Sequence, residues 1–385
     1  MYEPANYRSP NLAFLWPAFF AASASEMAAL AAKHFANLAV GAAGAGAEEP
    51  KWATAHTVPL ELKTVRLRDF STAATGTPAM LCTPLALHGA AVADLAAGHS
   101  LVQALRQSGL RRLFAADWRT AVRDMRFLGI DDYLAALNVL VDYVGPPVDL
   151  IGLCQGGWMA LVYAARFPAK VRKLVLAGAP IDLAAAPSPL SDLAAMTPLP
   201  AFEELVRIGD GIVPGRKVLK FWGVETVLAD DVRRVLQTDQ PANSPGFNGL
   251  EAVFRDWYGW TIDLPGAYYV EVVSKLYKHN QLALGKFVAL GERIALANVK
   301  APTFLLAADA DELVAPAQLF AAERLLGTPA GNIRCATVPG RHVGLFMGKD
   351  VLENTWPTIV RWLSESVVIS RDKAPVAPVA SSLAK

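Results

Sequence analysis

One cysteine stands in a setting that suits nucleophilic chemistry. Cys154 lies in the run Gly-Leu-Cys-Gln-Gly-Gly at residues 152–157, which follows an apolar stretch and precedes a run of helical spacing. This is the G-x-nucleophile-x-G pattern of a strand-to-helix turn, with cysteine where serine is common. Gly152 and Gly156 are expected to leave room for the tight bend, and the helix start favours the thiolate. The alternative is a buried cysteine in a glycine-rich turn.

A cysteine nucleophile needs a base and a group that orients the base. For this kind of turn the expected chain order is nucleophile, acid, histidine. Beyond Cys154 the sequence holds two histidines, His279 within a predicted helix and His342 in a loop directly after a predicted strand. His342 is therefore the predicted base, with a surface loop histidine as the alternative. Either Asp309 or Asp311 could orient it, and the other would be a turn residue.

Charge that develops on an acyl oxygen needs backbone N–H donors. The N–H of Gln155 is the first predicted donor, and the second is expected from the loop at residues 84–90, where Leu87 is our choice. His88, in the same loop, is either a polar pocket residue or a plain turn residue. Three aromatic side chains are candidates for substrate binding: Trp158, Trp257 and Tyr277. For the cap residues Trp257 and Tyr277, a core role is the alternative.

The elements that must position these residues alternate between short apolar runs and helical runs. Strands are predicted at residues 64–67, 79–83, 113–116, 148–153, 171–177, 304–308 and 333–338. Helices are predicted at residues 99–108, 131–144, 156–166 and 350–366. This alternation indicates an α/β protein with a mostly parallel sheet covered on both faces. Between the two parts of the sheet, proline and aromatic residues predict a helical cap, which is the general plan of the α/β-hydrolase fold.

These elements divide the chain into five predicted parts. They are an N-terminal amphipathic helix and linker (1–50), the first part of the α/β-hydrolase core (51–181), a helical cap insertion (182–295), the second part of the core (296–368) and a disordered tail (369–385). The N-terminal helix is interpreted as packing on the core, or as docking on an apolar surface or a partner helix.

Composition excludes several classes of protein. The chain has 385 residues, 53% of them hydrophobic and 18% charged, so it can form a large core. A net charge of +1 with no basic stripe argues against nucleic acid as a partner. The 17 uncharged residues between Arg8 and Glu26 are short for a transmembrane span and contain a proline.

The cysteines bear on the compartment and on metal binding. The chain holds three of them, at positions 82, 154 and 335. So sparse a set argues against a disulfide framework, and no pair has metal-ligand spacing, so no metal is expected. The N-terminus also lacks the pattern of a secretory signal. Together these features favour a cytoplasmic protein.

From about residue 75 to 366 the sequence resembles the polyhydroxyalkanoate synthases and, more distantly, the intracellular polyhydroxyalkanoate depolymerases. The stretches that carry the resemblance to the synthases are residues 117–119, 129–133, 152–157, 276–282, 311–316 and 340–344. The resemblance selects Asp311 over Asp309, which implies a Cys154–His342–Asp311 triad. Glu312 stands where the synthase motif usually has histidine. The runs at residues 178–182 and 342–348 also resemble the depolymerases.

The resemblance implies an acyltransferase that moves (R)-3-hydroxyacyl groups from CoA thioesters through a Cys154 acyl-enzyme to a growing polyester. No cofactor is implied, since the CoA thioester is itself the substrate. A thioester that exchanges with a cysteine thiol gives another thioester, which suits transfer from CoA. The alternatives are a depolymerase, or a 3-hydroxyacyl ester or thioester hydrolase with the same triad, and a non-catalytic granule protein. The implied partners are a polyester granule surface and a partner subunit, and a homodimer is left open.

Overall fold

A central eight-stranded sheet organises the molecule. The computed structural model describes residues 48–222 and 229–366. The strands are β1 (Thr57–Glu61), β2 (Val65–Asp69), β3 (Ala79–Cys82), β4 (Leu113–Trp118), β5 (Val148–Leu153), β6 (Val171–Ala177), β7 (Thr303–Ala308) and β8 (Ile333–Val338). Their order across the sheet is β1-β2-β4-β3-β5-β6-β7-β8. Strand β2 runs antiparallel to β1 and β4, whereas β3 to β8 are parallel to one another.

The inner parallel strands are apolar on both faces because helices cover the sheet from both sides. Strands β3, β4, β5 and β7 are buried along their whole length. Three helices belong to the first part of the sheet: α1 (Leu101–Gln107), α2 (Ile130–Val144) and α3 (Gln155–Arg166). Helix α1 begins after Ser100, whose hydroxyl oxygen accepts a hydrogen bond from the backbone N–H of Gln103 at 2.9 Å.

The chain between β6 and β7 is largely helical. Its helices are α4 (Pro189–Met196), α5 (Leu199–Ile208), α6 (Gly215–Phe221), α7 (Ala229–Leu236), α8 (Pro245–Gly259) and α9 (Gly266–Val272), which continues as a π-helix over Val273–Lys278. After β7 follow α10 (Pro316–Phe320), α11 (Ala322–Leu325), α12 (Gly344–Met347), a π-helix over Val351–Thr355 and α13 (Trp356–Ser364). Short strand pairs join Ile212–Val213 to Leu264–Pro265, and Val288–Ala289 to Glu292–Arg293.

The predicted α/β architecture with a mostly parallel sheet is confirmed. Strand β1 was not predicted, and the helix predicted from residue 99 begins at Leu101, because His99 and Ser100 pair with Asp94–Ala96 instead. The predicted N-terminal helix and the predicted tail at 369–385 lie outside the described residues, and the other domain boundaries stay predictions. In the described ranges, every helix is too short or too polar to cross a membrane.

Helix α3 approaches the sheet so closely that glycine is required where the two meet. A Cβ on Gly156 would overlap the carbonyl oxygen of Cys82 and would lie 2.5 Å from that of Thr83. A Cβ on Gly152 would lie 2.6 Å from the Cα of Gly157. Backbone atoms cannot move aside as a flexible side chain can, so the turn between β5 and α3 excludes larger residues at these positions.

We expect Gly156→Ala to destabilise the fold, because its methyl group would overlap backbone of β3 and the residue after it. Overpacking of this kind costs about 1–3 kcal/mol or more. Gly249 is a matched control, since it is an exposed helical glycine in α8 with no atom within 4 Å of a Cβ placed on it. Gly249→Ala should be neutral or should stabilise by up to about 1 kcal/mol. Urea unfolding of both variants tests this, and equal midpoints would contradict it.

Candidate active site

Cys154 occupies the turn between β5 and α3 in a conformation that few residues adopt. Its backbone has φ 50° and ψ −121°, and its side chain is half-buried. Two hydrogen bonds hold the turn, from the Cys154 N–H to the carbonyl of Ala177 at 2.9 Å and from the Gly157 N–H to the carbonyl of Cys154 at 2.8 Å. A positive φ at a non-glycine residue persists only where its surroundings fix it, and such positions concentrate at functional sites.

His342 and Asp311 form a buried pair at the ends of neighbouring strands. His342 lies between β8 and α12, and its Nδ1 is 2.8 Å from Oδ2 of Asp311. The other carboxylate oxygen accepts hydrogen bonds from the backbone N–H groups of Leu313 at 2.9 Å and Val314 at 2.8 Å. The carboxylate is therefore fixed by the backbone, and it holds the imidazole with the proton on Nδ1.

The second ring nitrogen of His342 is turned toward the cysteine. Nε2 is buried and no hydrogen bond of ordinary geometry reaches it. Burial lowers the pKa of the imidazole, but the Asp311 charge and, after it, the Cys154 thiol raise it, so that the pKa lies well above its ordinary value. The thiol is thus close enough to act on the ring, and the ring is placed to take the thiol proton.

The residues around Asp311 hold the histidine loop in place. Oδ1 of Asp309 accepts a hydrogen bond from the Gly340 N–H at 3.0 Å, so Asp309 supports the loop backbone and Asp311 contacts the ring. Oε2 of Glu312 accepts one from the His342 N–H at 3.1 Å. No role was predicted for Glu312, because no spacing rule reveals which backbone group a carboxylate will contact.

Gly178 is a second residue of the site that was not predicted from the sequence. It follows β6 with φ 56°, and a Cβ there would lie 3.0 Å from Cε1 of His342. Glycine at this position therefore lets the imidazole lie against the end of β6. The available signal was the run at residues 178–182, which was noted only as similar to the depolymerases.

The side chain of Gln155 links two of the aromatic residues predicted to bind substrate. Its Nε2 donates to the Tyr277 hydroxyl at 2.6 Å, and its Oε1 accepts from Nε1 of Trp158 at 2.7 Å. Trp158 is completely buried and does not line the cavity beside Cys154, so the structure places it in the core and contradicts the predicted substrate contact. Tyr277 also does not line the cavity. Burial and, as a smaller effect, the nearby Cys154 raise the pKa of its phenol.

A cavity of about 300 Å³ adjoins the cysteine. It brings together Cys154, His342, Leu87, His88 and Trp257, all of them predicted site residues. Further apolar parts of the wall come from Pro84, Val92, Leu190, Trp222, Val235 and Phe346. The charged side chains on the wall are those of Asp231, Glu312 and Arg341. An apolar cavity with a few convergent polar groups is typical of a small-molecule site.

The predicted oxyanion donors flank the same turn. Gln155 is the first residue of α3, where a backbone N–H has no partner within the helix. Leu87 has φ 44°, and its carbonyl accepts a hydrogen bond from the Ile262 N–H at 2.9 Å, which fixes the orientation of the loop. Both residues stay predictions as oxyanion donors, as do Cys154, His342 and Asp311 in their catalytic roles.

Comparison with known proteins identifies the family. Residues 91–218 match the family described as alpha/beta hydrolase fold, and residues 247–366 match PHB de-polymerase C-terminus. The poly(3-hydroxyalkanoate) polymerase subunit PhaC of Synechocystis sp. is 30% identical over 287 residues, which cover 71% of this chain and 74% of that protein. The chain belongs to the PhaC family.

Two further PhaC proteins match at lower identity, and solved structures support the fold. PhaC of Allochromatium vinosum is 25% identical, covering 71% of this chain and 76% of that protein. PhaC of Haloferax mediterranei is 23% identical, covering 74% of this chain and 58% of that protein. A hydrolase from Pseudomonas aeruginosa PA01 superposes with a TM-score of 0.51 at 13% identity, over 80% of this chain and 98% of that chain. An enol-lactonase from Burkholderia xenovorans LB400 superposes with a TM-score of 0.50 at 16% identity, over 78% of this chain and 97% of that chain. Both the resemblance to the polyhydroxyalkanoate synthases and the α/β-hydrolase fold are thereby confirmed.

We expect Asp311→Asn to lower the pKa of His342, because it removes the charge that does most to raise it. Asp309→Asn is the matched control, since an amide oxygen can still accept from the Gly340 N–H and the ring keeps its carboxylate. Proton–nitrogen NMR titration of histidine-labelled protein measures both. Alkylation of Cys154 near neutral pH should slow by about 10²–10⁴-fold in the first variant alone, as for loss of a general base. A His342 pKa unchanged by Asp311→Asn would refute this electrostatic coupling.

Proposed function

We propose that this PhaC-family chain transfers 3-hydroxyacyl groups from CoA thioesters to the hydroxyl end of a growing polyester, with Cys154 as the acyl carrier. One observation carries the proposal: the half-buried Cys154 and the partnerless Nε2 of the buried His342–Asp311 pair lie on one cavity. The names of the relatives, poly(3-hydroxyalkanoate) polymerase subunits, support the substrate class.

The first half-reaction loads the cysteine. Nε2 of His342 takes the thiol proton, and Sγ of Cys154 attacks the thioester carbonyl carbon. The bond from that carbon to the CoA sulfur then breaks, and the imidazolium returns the proton to the departing CoA thiolate. The carbonyl oxygen carries negative charge between these steps, and the Gln155 N–H at the start of α3 is the proposed first donor to it. One thioester is exchanged for another, so little free energy is lost.

The second half-reaction lengthens the polymer. The hydroxyl at the end of the chain gives its proton to Nε2 of His342, and its oxygen attacks the acyl carbon on Cys154. The carbon–sulfur bond breaks as the ester forms, and the proton returns to the thiolate. Asp311 keeps its hydrogen bond to Nδ1 in both halves and stabilises the imidazolium.

Hydrolysis is the second candidate function. Residues 247–366 match a family described as PHB de-polymerase C-terminus, and the same steps with water in place of the polymer hydroxyl would release a 3-hydroxy acid. The apolar side chains that predominate in the cavity wall favour transfer, because a site that excludes water protects the acyl-enzyme from hydrolysis.

We further propose that the chain acts with a partner subunit at a polyester granule in the cytoplasm. The relatives are named subunits, which supports a partner. A polymer that leaves solution as it grows would hold the enzyme at its surface, which supports the granule.

The product formed from 3-hydroxybutyryl-CoA tests the proposed function. The native protein should release CoA and form polymer, with one 3-hydroxybutyryl group on Cys154 detectable by intact mass in a rapid quench. Cys154→Ala should lower CoA release by about 10⁴-fold or more, as loss of a covalent nucleophile does. Cys335→Ala is the matched control and should be fully active, since this thiol is exposed and does not line the cavity.

Three results would weigh against synthesis. CoA with monomeric 3-hydroxybutyrate as the product would establish hydrolysis in its place. Soluble acid released from amorphous polymer, with no CoA released from the thioester, would identify a depolymerase. Equal rates for Cys154→Ala and native protein would exclude the acyl-enzyme altogether.

A further inference from the structure

Two buried imidazole nitrogens in the described part of the chain have no hydrogen-bond partner. They are Nε2 of His342 and Nε2 of His88, and both side chains line the cavity that holds Cys154. The proposed chemistry uses Nε2 of His342 and leaves that of His88 without a role. Because buried polar atoms in folded proteins nearly always have a partner, the exception at His88 needs its own explanation.

The backbone holds the His88 loop against the end of α8. The Ile262 N–H donates to the Leu87 carbonyl at 2.9 Å, and His88 forms a backbone bridge with Thr261. Nε1 of Trp257 donates to the carbonyl of Gly89 at 3.3 Å. The loop position of His88 is therefore set by contacts on both sides of it.

Aromatic rings then fix the imidazole itself. The His88 ring lies 4.3 Å from the ring of Tyr258, tilted by 30°, and 4.9 Å from the ring of Trp257. A Cβ on Gly89 would overlap the Trp260 indole, so the next residue leaves no space for the segment to shift. The unpartnered nitrogen is thus held in one orientation, as binding groups in preorganised sites are.

The tautomer and charge of the His88 ring decide which kind of hydrogen-bond partner Nε2 can have. Nδ1 of His88 is 3.4 Å from the carbonyl oxygen of Trp260, and because a carbonyl only accepts, this contact favours the tautomer with the proton on Nδ1. Burial lowers the pKa of His88 to about 4, against smaller opposing effects of the Trp260 and Tyr258 carbonyls, so the ring is neutral near pH 7. In a neutral imidazole with the proton on Nδ1, Nε2 is purely an acceptor, and its missing partner must be an O–H or N–H donor.

The carboxylates on the cavity wall are already paired. Arg341 lies 3.6 Å from a carboxylate oxygen of Asp231 and 3.4 Å from one of Glu312. Glu312 also accepts the His342 N–H. His88 therefore offers a neutral acceptor to a ligand whose reacting carbon lies at Cys154.

We propose that Nε2 of His88 accepts a hydrogen bond from the C3 hydroxyl of the acyl group that reacts at Cys154, which makes His88 the residue that selects 3-hydroxyacyl over unsubstituted acyl groups. The inference rests on the proposed function for its substrate class. It adds a group that recognises the substituent distinguishing a polyester monomer from an ordinary fatty acyl chain. A site built to bond a hydroxyl rejects the analogue that lacks it far better than an apolar wall does.

The test compares two substrates and two variants. His88→Phe keeps a ring between Trp257 and Tyr258 but has no acceptor, whereas His88→Gln places an amide oxygen near the position of Nε2. For 3-hydroxybutyryl-CoA, kcat/KM for CoA release should fall by about 10–100-fold in His88→Phe, as for one lost hydrogen bond in a buried site. For butyryl-CoA it should change by less than about threefold, and His88→Gln should recover part of the selectivity. Thermal unfolding of both variants verifies that they fold.

Binding without turnover separates this inference from the proposed function. In Cys154→Ala protein, calorimetry should show that 3-hydroxybutyryl-CoA binds more tightly than butyryl-CoA, and that adding His88→Phe abolishes the difference. That result supports the role of His88 even if the native protein forms no polymer. Equal losses for both thioesters in His88→Phe, as recognition of the pantetheine amides would give, overturn the inference and leave the proposed function standing. So does the absence of any binding preference.

Discussion

The structure depends first on how closely helix α3 can approach strand β3. Gly156 allows the helix to pack against the carbonyl groups of Cys82 and Thr83, where no side chain would fit. This contact sets the sharp turn after β5, and the turn forces Cys154 into φ 50° with its side chain half-buried. The same contact directs the start of α3 at the cysteine, so its partial positive charge faces the site where negative charge develops during acyl transfer. A looser turn would lose the geometry and the electrostatic effect together.

Burial of the His342–Asp311 pair is the second constraint. An ionised carboxylate without solvent is unfavourable unless hydrogen bonds replace the water. Asp311 receives three, from the ring and from the N–H groups of Leu313 and Val314. The neighbouring carboxylates hold the histidine loop rather than the ring. Glu312 accepts a hydrogen bond from the His342 N–H, and Asp309 accepts one from the Gly340 N–H. Since these contacts are made by backbone, the acid and base are positioned before any substrate arrives.

The sequence predicted every strand of the central sheet except the first. Strands β5 and β6 have the predicted bounds, because Pro147, Lys170 and Gly178 interrupt the apolar runs at their ends. Strand β8 also has the predicted bounds and ends at Pro339. Strand β1 was missed because its residues are mostly exposed, which leaves no apolar pattern to read. Residue types alone could not choose between Asp309 and Asp311, which follow the same strand and differ only in side-chain direction. The same limit applies to Trp158, because an indole has one sequence signal whether it lies in the core or on a cavity wall.

The surroundings of the two histidines on this cavity shift their pKa values in opposite directions. His342 lies against a carboxylate and a thiol, which raise its pKa, so it can hold a proton during acyl transfer. His88 lies between aromatic rings with only carbonyl groups to oppose burial, so it stays neutral and can accept a hydrogen bond. Groups whose environments separate their pKa values in this way commonly divide the work of a site between them. A substrate with a thioester carbonyl and a hydroxyl two carbons away presents one group to each task, which links the polarity of the cavity to the chemistry of a 3-hydroxyacyl monomer.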